Sequence, residues 1–273
     1  MHTNRDYTIL HKQDPTLPKI DLLLLFMKGD PRIPDAFGWS VSIRTKMSIA
    51  SILFNDVLEQ IPKGIKEFEE VNRSGYIEGI ELLKLAMEYE NYLNSIYSLC
   101  ENISRIVHFL YGERNLPDSF FDQKSRFLRE PDINPDYTEI LEKTSWYDEV
   151  HSIRREATHF LSGFVGISDD TKLGYFNKPK SKRKGTPERI SIDDIEEHLR
   201  GIHNGLSRFL YAFGDAFIKI INQDSRVSIP CIYSRGLIGT YHISLREYLN
   251  NGLGICGAPK FDCPVKDSCK RRS

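Results

Sequence analysis

Arg154, Arg155 and His159 stand within six residues of one another in the stretch Ser152-Ile153-Arg154-Arg155-Glu156-Ala157-Thr158-His159. A guanidinium neutralises phosphate oxygens through a fixed fork of donors, and an imidazole moves protons near neutral pH. Together these groups serve chemistry on a phosphodiester.

On a helix advancing about 100° per residue, Val150, Ile153, Ala157, Phe160, Leu161 and Phe164 share one arc. They form the expected core stripe of a helix over residues 146–165. His151, Arg155 and His159 recur at i, i+4 on a different face, together with Asp148 and Ser162. His159 projects about 145° from the centre of the stripe, and Arg154 lies nearer the stripe's edge. Such a face meets solvent, a ligand or a partner surface, and Arg155 has Asp148 or Glu156 as alternative ion-pair partners.

Helices must position these groups, and the apolar periodicity supplies them. Met47, Ile49, Ile52, Leu53, Val57 and Ile61 recur at threes and fours until Pro62-Lys63-Gly64, which predicts a helix ending there. A longer proline-free segment, 76–111, carries Ile80, Leu83, Leu93, Ile96, Ile103 and Ile106, with Gly112 just past its end as the expected C-cap. Shorter helices are expected over 119–128 and 137–142. Residues 173–176 and 189–192 read as two strands of a hairpin around a basic loop. Ser191 or Asp193 would then cap a last long helix running through Ile195, Leu199, Leu206, Phe213 and Phe217. The expected fold is mainly α: an antiparallel helical bundle (38–222), with the β-hairpin before its last long helix. An irregular, proline-containing lead-in (1–37) precedes the bundle, and a small β/loop appendage with clustered cysteines (223–273) follows it.

The bulk composition narrows the classes of function. The 273 residues are 40% hydrophobic and 27% charged, which describes a globular chain with ample length for a core. A net charge of −1 gives no whole-molecule attraction to nucleic acid or membrane, so a nucleic-acid site must be a local basic patch. The start of the chain lacks the basic-then-apolar pattern of a secretory signal, and the apolar run 22–27 is too short to span a bilayer. Five cysteines, an odd number, do not form a secreted disulfide framework. The expectation is a cytoplasmic protein.

The helix order, the Arg-x4-His pattern of Arg154 and His159, and the tryptophan-led approach Trp146-Tyr147-Asp148-Glu149-Val150-His151 together resemble the HEPN superfamily over roughly residues 40–222. Many HEPN proteins are metal-independent endoribonucleases of defence and toxin–antitoxin systems, with arginine and histidine from two protomers meeting at a dimer interface. The resemblance therefore implies a homodimer acting on RNA without a catalytic cofactor. In it Arg154 would bind phosphate and His159 would transfer protons, with Arg155 and His151 in support. It also implies an antitoxin or other protein partner. Active members carry asparagine, aspartate or histidine directly after the arginine, where this chain has Arg155. The superfamily's inactive members serve as dimerising or binding modules, which is the alternative expectation.

Two further segments bear on function. Lys178, Lys180, Lys182, Arg183 and Lys184 crowd one loop, which reads either as a guide for RNA phosphates or as a solvated hairpin tip. Cys256, Cys263 and Cys269 lie within fourteen residues. With Cys231 or His242 as fourth ligand they would hold a structural Zn²⁺, and free thiols are the other reading. Cys100, His108 and His203 fall inside long helices and are expected to be structural.

Overall fold

The computed structural model describes residues 19–74, 79–159, 163–169, 172–177, 190–233 and 236–251. The side chains of 71–74, 158–159, 169, 229–233, 236–241 and 251 lie outside that description. Eight α-helices are present among the described residues: α1 Lys19–Phe26, α2 Ala36–Ser74, α3 Ile80–Leu110, α4 Phe120–Arg129, α5 Pro135–Glu142, α6 Ser145–His159, α7 Ile195–Phe217 and α8 Leu245–Asn251. Strands β1 Phe164–Asp169, β2 Lys172–Phe176 and β3 Ser191–Ile192 form one antiparallel sheet in the order β1-β2-β3, and β4 Arg226–Tyr233 pairs with β5 Gly236–Ser244. The chain is thus mainly helical, with a hairpin ahead of its last long helix.

Helices α2 and α3 form the spine. Ser42 pairs with Asn102, Lys46 with Ser98 and Gln60 with Glu81, so one helix descends as the other rises. Helix α2 does not stop at Pro62 but continues to Ser74. The proline forfeits one backbone hydrogen bond, yet packing holds the turns around it. Val57 and Ile61 are buried, and bare Gly64 lets Leu82, Leu85 and Leu173 approach to within 3.1–3.5 Å of where a Cβ would stand.

The lead-in is helical over residues 19–29 and irregular over 30–35. Residues 19–26 are apolar on nearly every side, as a buried helix requires, and Ile20, Leu22, Leu23, Leu24 and Phe26 are buried in the common core. The backbone of α1 passes so close to α7 that a Cβ on Gly214 would lie 2.4 Å from the Ile20 nitrogen.

The described part of helix α6 runs to His159, and from Phe164 the chain is a strand rather than the end of the helix predicted to residue 165. The Gly163 amide donates to the Glu90 carboxylate (2.8 Å) and to the Tyr175 hydroxyl (3.0 Å). Phe164 and Val165 then pair with Phe176 and Tyr175 across the sheet instead of extending the helical stripe. Phe160, Leu161 and Ser162 lie outside the described residues. The cap of α7 is Asp194, whose carboxylate accepts from the Glu197 amide (3.0 Å), rather than Ser191 or Asp193. Ser191 is instead committed to β3 opposite Phe176.

Candidate functional site

Helix α6 lies between α3, α4 and α7, and each side chain that it carries takes its role from the neighbour it meets. On the side facing α3 and α4, the His151 ring stacks on Phe121 with centroids 4.4 Å apart and planes 10° from parallel. It also sits about 6 Å from the rings of Tyr97 and Tyr147. No hydrogen bond engages its nitrogens among the described residues. Burial, helped by the charges of Arg155 and Arg154, pushes its pKa below the ordinary histidine value, so the ring is neutral at pH 7.

Arg154 lays its guanidinium over Tyr97, 4.4 Å from the ring centroid. It has no carboxylate partner among the described residues. A cation held over a π face keeps its donors available to an anion. Arg155 is exposed and approaches Glu156 only to 3.5 Å. Asp148 is not its partner: Lys124 takes both Asp148 oxygens at 2.7 and 2.8 Å, and also donates to the Thr144 carbonyl (3.1 Å). Glu156, on the polar side of the pattern, is nevertheless buried, and its Oε2 has no hydrogen-bond partner among the described residues. His159 is the last residue of α6, and its side chain lies outside the described residues.

The side facing α7 carries a constellation that the sequence reading did not single out. Glu149 Oε2 lies 2.8 Å from His198 Nε2, and His198 Nδ1 lies 2.5 Å from the hydroxyl of Tyr89. The order is an exposed carboxylate, a mostly buried imidazole and a fully buried phenol. Burial lowers the pKa of His198 despite the favourable charge of Glu149, and raises that of Tyr89 far above its usual value. The ring is then neutral, donating through Nε2 to Glu149 and accepting from Tyr89 at Nδ1. The three residues come from α6, α7 and α3, separated by 49 and 109 positions, so no local spacing announces them.

The remaining predicted groups divide as follows. His203 is buried, stacked on Phe54 (3.9 Å) and bonded to the Tyr92 hydroxyl (3.2 Å), and His108 Nδ1 lies 2.5 Å from the Leu116 carbonyl oxygen. Both are structural, as expected. Cys100 is a buried free thiol whose pKa is pushed up by desolvation. The basic loop residues Lys178, Lys180, Lys182, Arg183 and Lys184 lie outside the described residues, as do Cys256, Cys263 and Cys269. Cys231 is in β4 opposite Gly239, with its side chain outside the description, and His242 pairs with Ser228 (3.0 Å). Among the described residues no cluster of three or more His, Cys, Asp or Glu side chains is placed to hold a metal ion, and no helix is long and apolar enough to cross a membrane. Compared with protein-family models, with curated proteins and with solved structures, the chain finds no match.

Proposed function

We propose that the chain is an endoribonuclease of the HEPN type that works without a catalytic metal, as a homodimer. The observation that carries this reading is Arg154. Its charge is not neutralised by any described carboxylate, and it rests on Tyr97 beside the stacked pair His151 and Phe121. A face that combines aromatic rings with a free guanidinium suits RNA, since rings stack on bases and the guanidinium grips phosphate.

Cleavage of RNA requires the ribose 2′-OH to lose a proton, the phosphorane charge to be stabilised and the leaving oxygen to gain a proton. His159 would transfer the protons and Arg154 would stabilise the charge, with Arg155 and neutral His151 beside them. Two copies packed across this face would supply two of each, and the Lys178–Lys184 loop would guide the strand. The test is cleavage of a mixed single-stranded and structured RNA pool in EDTA. Wild type is expected to cut, and His159→Ala to lose the activity by a factor of about 100 or more. Equal behaviour of the two proteins would end the nuclease reading.

A second reading, a non-catalytic dimerising or RNA-binding module, is favoured by Arg155, which stands where active HEPN proteins carry a smaller polar group or histidine. It expects RNA binding without cleavage. A zinc ion on Cys231, Cys256, Cys263 and Cys269 would stabilise the tail under either reading. Metal analysis of the purified chain checks that part, and a cytoplasmic antitoxin partner would act on the same face.

A further inference from the structure

The opposite side of α6 borders a cleft of about 660 Å³, enclosed with the end of α5 and with α7. Its wall on α7 is built by Gly201, Gly205 and Arg208, spaced four and three residues apart and therefore on one helix face. A Cβ on Gly201 would meet nothing within 4 Å, so bare backbone borders open space there. Gly205 is covered by Trp146, whose ring comes within 2.4 Å of the place a Cβ would take. The indole Nε1 is buried and has no acceptor among the described residues, an unusual state for an interior donor.

The charges at this cleft are unevenly met. Lys143 is paired with Glu139 at 2.6 Å, whereas Arg208 is exposed and has no partner among the described residues. Glu149 projects into the same lining, held from behind by His198 and with most of its side chain accessible. The cleft thus sets one unneutralised cation and one oriented carboxylate at an apolar surface that includes Ile202 and Phe209.

We propose that this cleft binds a small planar organic anion: a ring bearing a carboxylate or phosphate for Arg208 and a hydrogen-bond donor for Glu149. The ring lies against the bare backbone at Gly201, beside the indole of Trp146. None of these residues belongs to the Arg154 face, so the site stands or falls independently of the nuclease reading.

The test is an NMR titration of the full chain with 4-hydroxybenzoate, following the indole N–H of Trp146 and the amides of Gly201 and Gly205. Saturable shifts at these three signals are expected. Benzoate, which lacks the donor, and the Arg208→Gln variant should each bind about tenfold more weakly, and phenol should not saturate. Gly201→Leu, a helix-favouring change at an open position, should abolish the shifts while leaving the rest of the spectrum dispersed. No saturable shift at Trp146, or equal affinity in Arg208→Gln, would overturn the proposal.

Discussion

Each side of α6 has a histidine at its contact with the neighbouring helices, one from α7 and one its own, and the two are held in opposite ways. Toward α7, His198 is fixed at both nitrogens, by Glu149 and by Tyr89. Toward α3 and α4, His151 is fixed by its ring faces, and neither nitrogen has a partner among the described residues. Directional bonds use up the polar atoms that chemistry needs, whereas stacking positions a ring and leaves its edge free. Arg154 follows the second pattern, held by the face of Tyr97 rather than by a carboxylate. The α7 side therefore fixes its histidine by bonds at both nitrogens, and the α3/α4 side positions His151 and Arg154 by ring faces alone among the described residues.

The largest expected effect comes from breaking the α7 side at its wall. Trp146→Ala removes an indole packed on Gly205 and Phe209, and should cost about 3–5 kcal/mol, read as a lower urea midpoint. Next comes pH. Burial holds the pKa of His203 at about 4, below roughly 6.5 in the unfolded chain. The unfolded state then binds the proton first, so stability is complete above pH 6.5 and falls as pH drops toward 4. The slope is about 1.4 kcal/mol per pH unit in that window. His151 and His198 shift in the same direction and add to it. Urea midpoints at pH 7 and pH 5 check this, and His203→Gln should flatten the dependence. Third, His198→Leu strands the buried hydroxyl of Tyr89 and should cost about 1–3 kcal/mol. Adding Tyr89→Phe should recover part of that loss, a coupling that a double-mutant cycle measures.

How much of this was legible in the sequence depends on how far apart the partners lie. The long helices and the strand pair around the basic loop follow from local periodicity and turn chemistry. Helix α8 was also legible in principle: Ser244 and Glu247 form a reciprocal capping box, each side chain accepting from the other's amide (3.1 and 2.9 Å). The strand that starts at Phe164 was not legible, since Glu90 and Tyr175, which accept from the Gly163 amide before it, come from α3 and β2. Nor was the burial of Glu156, which falls on the polar side of a two-faced pattern but meets protein on a third side. The link from Glu149 through His198 to Tyr89 joins three helices and has no local signature.

The smallest stability effect, and the sharpest functional one, belongs to the α3/α4 side. Replacing Arg154 by Ala removes a cation–π contact with Tyr97, worth about 0.5–1 kcal/mol at a partly exposed site. Losing the His151 stack on Phe121 in His151→Ala should cost a similar amount. Both variants should therefore fold with nearly unchanged urea midpoints. If the Arg154 donors are held for phosphate, Arg154→Ala should nonetheless weaken RNA binding and make the log–log salt slope shallower by about 0.7, one contact fewer on a single strand. His151→Ala should lower affinity and leave the slope unchanged, because a neutral ring releases no counterion. Equal slopes for wild type and Arg154→Ala would mean that the free guanidinium meets no phosphate, and the contrast between the two sides of α6 would then be one of packing alone.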